Sequence, residues 1–188
     1  MKDMFVISFP NGKKIESEKA VRCVDLLEYL DTEKRKIVGL KVNNEVFSLN
    51  RSVDVDSHVE PLFLESREGA EVYRRTLCLL LAAASRSLYP NLRLLISHSF
   101  GYSYFYTFEG EGACNINVKE IEAKMREMVR ENLPIKTYWL SYERALKEFS
   151  TSNQPDAHRL IMHTSKPRIM INQLAGYQDL YFQPILSS

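Results

Sequence analysis

Residues 73–108 set the tightest limits on what this chain can fold into. Leu77, Leu80, Leu81 and Ala84 fall at the three- and four-residue spacing of a buried helical face. Pro90 has no amide hydrogen with which to continue that helix, so the chain must leave it there. Residues 92–97 and 102–108 then alternate with a period of two, as paired strands with one covered face do. A helix that stops and passes at once into an aromatic strand pair asks for a core built from both kinds of element, and the chain reads as α+β.

With 188 residues there is room for one domain of ordinary size or two small ones, and the patterning favours two. Residues 4–9 are a short β-rich run, and Pro10-Asn11-Gly12 supplies hairpin turn chemistry before a second strand over 13–17. A helix is expected over 20–30, where Val24, Leu27 and Leu30 keep helical spacing and Cys23 joins their face. Strands over 38–42 and 45–49 flank Asn43-Asn44 as a second hairpin, and residues 59–64 close the sheet. The short charged segment 65–69 is the boundary, giving a first domain over 1–64 and a second over 65–188.

In the second domain Ser66 can cap the helix that runs to about Tyr89. After the 109–112 loop, Asn117 and Glu120 stand in capping-box positions, with Val118, Ile121, Met125 and Met128 on the buried face. Pro134 forces a break before a strand over 135–140, Ser141 caps a helix through Phe149, and Pro155 suits the first turn of a short third one. Residues 168–171 and 177–182 read as two more strands.

Composition excludes several classes. Twenty-five Lys and Arg against 24 Asp and Glu leave a net charge of +1, without the basic excess of a dedicated nucleic-acid binder, although clustered charge can still build a local basic face. The three cysteines, Cys23, Cys78 and Cys114, form no disulfide framework and no C-x-x-C pair, which points to a reducing cytoplasm. The longest apolar run, 77–84, is far short of the about 20 residues that span a bilayer, so no membrane partner is expected.

The segments FPNGK at 9–13 and VGLKVNNEV at 38–46, with a final strand leading into a helix, resemble a TGS domain, which implies a β-grasp fold. The helix ending in Leu88-Tyr89-Pro90, the aromatic strand pair and the later order of elements resemble the editing domain of threonyl-tRNA synthetases. Together these resemblances cover almost the whole chain. In that family two histidines four apart on the helix and a later Cys-x-x-x-His build a metal-binding cleft. The resemblance places those positions on Arg75, Leu79, Tyr181 and Ile185. A guanidinium and hydrocarbon side chains offer a metal no lone pair, and zinc asks for soft or imidazole donors. No metal and no catalytic residue are therefore expected.

A second resemblance is to nucleoside kinases of the uridine kinase and phosphoribulokinase type, which carry the same pair of domains ahead of a P-loop kinase domain. It rests on residues 73–77, Leu88-Tyr89-Pro90, Ile96-Ser-His98-Ser99 and residues 177–182, with departures at Gln178, Leu180 and Gln183. The chain's Gly12-Lys13 pair lacks both the glycine five positions earlier and the following hydroxyl of a P-loop. The resemblance thus implies the regulatory or ligand-binding N-terminal part of a nucleoside kinase, its P-loop domain following in cis. ATP and magnesium are expected in that domain and no cofactor in this one. The implied ligand-binding residues are Arg75, Leu79, His98, Ser99, Tyr102, Tyr104 and Tyr181. Arginines beside tyrosines can grip a nucleotide or an RNA end. Two alternatives stand beside the kinase reading: a free-standing RNA- or nucleotide-binding module derived from threonyl-tRNA synthetase, or an aminoacyl-tRNA deacylase acting without metal.

Overall fold

The first strand pair forms where the sequence supplies both alternation and a turn. β1 (Phe5–Ser8) pairs antiparallel with β2 (Lys14–Ser17). In the computed structural model, which describes residues 4–31, 36–101 and 103–188, Gly12 adopts φ 81° and its amide donates to Phe9 O at 3.0 Å. Only glycine takes that backbone without cost. Asn11 holds the same turn by accepting from the Lys13 amide at 3.1 Å.

The helix expected over 20–30 is replaced by two shorter features. β3 (Val21–Arg22) adds a two-residue pairing, and a single 3-10 turn covers Asp25–Tyr29. The Cys23 and Val24 amides donate across to Arg51 and Leu49 carbonyls, so they are lost to any α-helical ladder. Cys23, Leu26 and Leu30 are the buried set and Val24 is exposed, a correction of the expected face. β4 (Ile37–Val42) and β5 (Glu45–Phe47) form the second hairpin. Asn43 and Asn44, at φ 49° and 67°, give the left-handed pair that a two-residue hairpin turn needs.

β6 (Ser52–Val53) pairs with β3, and β7 (Ser57–Phe63) runs parallel to β1 and antiparallel to β4. The sheet order is β2-β1-β7-β4-β5. Ile7, Leu40 and Val59 are fully buried, with Cys23 and Leu26 packed in the same core. Burial pushes the Cys23 thiol up to about 11, against a smaller opposing pull from Arg51, so it acts as a small hydrophobe.

α1 (Arg67–Leu88) starts at Ser66, whose Oγ accepts from the Gly69 amide at 3.0 Å and donates to Phe63 O at 2.7 Å. Lys41 Nζ meets Glu68 Oε1 at 2.7 Å and draws that carboxyl below its usual range. Two units separate by their internal contacts. One comprises Met1–Thr76 with Gln183–Ser187, the other Leu77–Phe182 with Ser188. In the first, Thr76 Oγ1 donates to Val72 O at 2.8 Å and accepts from the Leu186 amide at 2.9 Å.

In the second unit the helix is buried on more than one side. Leu79, Leu80, Ala82, Ala83, Ala84 and Ser85 are all inside, whereas Leu77 and Leu81, expected inside, are partly exposed. β8 (Arg93–Phe100) pairs with β9 (Ser103–Glu109) as a separate hairpin. α2 (Val118–Arg130) buries Ile121 and Met128 and leaves Val118 exposed, which corrects the expected stripe. Asn117 caps it by accepting from the Lys119 amide at 3.1 Å; its own amide goes to Tyr89 Oη at 3.2 Å, and Glu120 meets the Asn117 side chain instead.

β10 (Lys136–Ser141), β11 (Arg168–Leu174) and β12 (Tyr177–Asp179) make an antiparallel sheet. α3 (Tyr142–Ser150), capped by Ser141, and α4 (Pro155–Met162), with proline in its first turn, connect β10 to β11. Leu140, Ala145, Phe149, Ile161, Ile169 and Ile171 form their common core. The elements are α+β as expected. Among the described residues, no helix is long and apolar enough to cross a membrane.

Candidate functional site

The β8–β9 hairpin carries most of the residues expected at a site, and its register is irregular where they lie. Ile96 faces Tyr106 and Ser99 faces Tyr104, so Ser97 and His98 together oppose the single residue Phe105. That two-against-one count is a β-bulge, a device that re-aims a side chain. Here it sets the His98 ring against Phe105, centroids 5.6 Å apart and planes 21° from parallel. Ser97 Oγ lies 3.1 Å from His98 Nδ1. His98, Ser99, Tyr104 and Phe105 are all exposed, and Tyr102 lies outside the described residues.

The segment that follows β11 carries the remaining expected tyrosine, Tyr181. Burial raises the Tyr181 phenol well above its ordinary value, and Asp179, Cys78, Tyr177 and Tyr104 are close enough to add to the rise. Tyr181 and Tyr104 therefore share one neighbourhood with the thiol of α1. Burial also raises the Cys78 thiol, which keeps it protonated at neutral pH and a poor nucleophile. Asp179, raised by burial, accepts from the Leu180 amide at 2.7 Å and from Tyr177 Oη at 3.1 Å. Gln154 Nε2 donates to Tyr177 Oη and to Gln178 O, both at 3.0 Å, and Gln178 Nε2 reaches Tyr138 Oη at 2.8 Å. Burial, then Asp179, raises the Tyr177 phenol in turn.

The positions that the resemblance assigns to metal ligands do not suit a metal. Leu79 and Ile185 are buried hydrocarbon, and Arg75, in the first unit, gives its Nε proton to Pro184 O at 3.1 Å. Among the described residues no three His, Cys, Asp or Glu side chains gather as a metal cluster. What remains is a wall of protonated phenols and a protonated thiol and, on the hairpin, an exposed imidazole–phenyl stack. Such groups hydrogen-bond and stack; they supply no activated nucleophile. Sequence reasoning passed over Gln154 and Asp179. The one available signal was an acid set among aromatics at Tyr177-Gln178-Asp179-Leu180-Tyr181, and nothing local marks Gln154 as its partner.

No family model matches the chain. Individual proteins do. The threonine–tRNA ligase of Clostridium kluyveri is 33% identical over 160 residues, which cover 84% of this chain and 25% of that protein. That of Clostridium tetani is 32% identical over 188 residues, 98% of this chain and 29% of the relative. That of Thermotoga petrophila is 29% identical over 186 residues, 97% and 28%. The chain is homologous to one stretch of threonine–tRNA ligases. It spans between a quarter and a third of the length of these relatives. They carry the synthetase half of the expectation and lend none to a kinase parent, a P-loop partner or bound ATP.

Proposed function

We propose that the chain is an RNA- or nucleotide-binding module of threonyl-tRNA synthetase descent that recognises its ligand without hydrolysing it. The observation that carries this reading is similarity to proteins named threonine–tRNA ligases along nearly the full chain, so that both units share the ancestry. The first unit supports a TGS-like β-grasp assignment through its mixed sheet with adjacent parallel β1 and β7. In the second, the exposed His98–Phe105 stack and Tyr104 supply the aromatic faces on which unpaired bases stack, at about 1–3 kcal/mol per base. The protonated Cys78 and Tyr181 favour recognition over catalysis.

Filter binding of threonine tRNA tests the reading. Saturable binding, weakened by Phe105→Ala, is expected; no retention of tRNA at low salt would remove it. Incubation with mischarged threonine tRNA separates recognition from hydrolysis. The amino acid is expected to stay attached, and its release at a rate proportional to protein would favour a metal-free deacylase.

A further inference from the structure

A recess in the same unit has no hairpin residue in its lining. It is a hollow of about 310 Å³ between the end of α1, the α3–α4 connection and the β11–β12 turn. Arg86, Ser87, Ser152, Gln154, Gly176 and Tyr177 are among the residues that line it. The Arg86 guanidinium is partly buried, and its Nη2 donates to Ser152 O at 2.8 Å. That contact uses one of five N–H donors, and among the described residues no carboxylate pairs with it. Asp179, the acid of this neighbourhood, is engaged by Tyr177 and does not line the hollow.

The remaining walls suit a negative guest. Ala175 and Gly176 take φ 49° and 84°, the left-handed pair of a two-residue hairpin turn, and such a turn's own hydrogen bond uses neither central amide. Ser87 is exposed, with a hydroxyl able to donate. A half-sheltered guanidinium without a counter-ion, beside spare hydroxyl and amide donors, matches an oxyanion's acceptors. Space of this size holds a phosphate group with part of a nucleoside, at the small end of ligand pockets.

We infer that this hollow is an oxyanion site, built around Arg86, for a phosphate group. The phosphate comes either from an RNA strand or from a free mononucleotide. The site does not depend on the RNA-binding reading of the hairpin.

Calorimetric titration of the intact chain with inorganic phosphate and with adenosine 5′-monophosphate tests it. Arg86→Gln keeps a donor for Ser152 O but loses the charge and the fork, and is expected to weaken binding by about tenfold to a hundredfold. Ser87→Asp sets a like charge at the exposed rim without touching any hydrogen bond of the fold, and is expected to cause a similar loss. Phosphate that displaces bound RNA assigns the oxyanion to a strand, and phosphate that binds beside RNA assigns it to a free ligand; either supports the site. RNA binding that fails while phosphate binding persists counts against the hairpin reading alone. Absence of saturable phosphate and mononucleotide binding, or equal binding by wild type and both variants, overturns the inference.

Discussion

Leu79 stands where the resemblance puts an imidazole, and its own chemistry is that of a core residue, fully buried. Leu79→Ala is expected to cost about 2–5 kcal/mol of stability, read as a lower urea midpoint with an unchanged slope. A loss below about 1 kcal/mol would show that the helix is less tightly packed than its burial implies. Asp179 gives a pH signature. Burial raises its carboxyl above the unfolded value, so its share of stability is fully present below the unfolded value and is lost as pH rises through the folded one. From about pH 4 towards 7, the urea midpoint of wild type is expected to fall relative to that of Asp179→Asn. A difference that stays flat across this range would mean that Asp179 is as well solvated as in the unfolded chain.

At the level of single elements, α1 rests on a tight entry. A methyl group at Gly69 would come 2.0 Å from the Phe63 carbonyl oxygen, which is backbone and cannot step aside cheaply. Gly69→Ala is therefore expected to destabilise, by about 1–3 kcal/mol, even though alanine is the better helix former. Ser66→Ala is expected to cost about 1 kcal/mol through the lost cap. Thermal melts followed by circular dichroism measure both, and a stabilised Gly69→Ala would contradict the close approach. The same elements show what the sequence made legible. Pro-Asn-Gly at 10–12, Asn43-Asn44, Ser66, Ser141 and Pro155 announce turns and helix starts because their preferences are local. The bulge at Ser97-His98 has no such mark, since register is decided by partner strands. The helix expected over 20–30 failed for the same reason: bonds from Cys23 and Val24 to the distant Arg51 and Leu49 outweighed an apolar spacing of only three positions.

For the molecule as a whole, the order of elements was legible but the meeting of side chains was not. Tyr181, Cys78, Tyr104 and Asp179 lie up to about a hundred positions apart in the sequence, and only the fold gathers them. The kinase parent illustrates the opposite hazard: short segments matched in combination, whereas similarity along the chain runs to threonine–tRNA ligases. Donor chemistry at Arg75, Leu79, Tyr181 and Ile185 leads us to expect no stoichiometric zinc in purified protein by elemental analysis, and one tightly held zinc per chain would show those positions to be wrongly assigned. With a net charge of +1, RNA binding is expected to lose affinity only gently with salt, as for about three neutralised phosphates or fewer. The central claim, that the second unit recognises RNA through its hairpin and tyrosine wall, is tested most directly by amide hydrogen exchange with and without threonine tRNA. Slowed exchange in residues 93–109 and 177–182 is the expected result; protection confined to other segments, or none at saturating RNA, would contradict it.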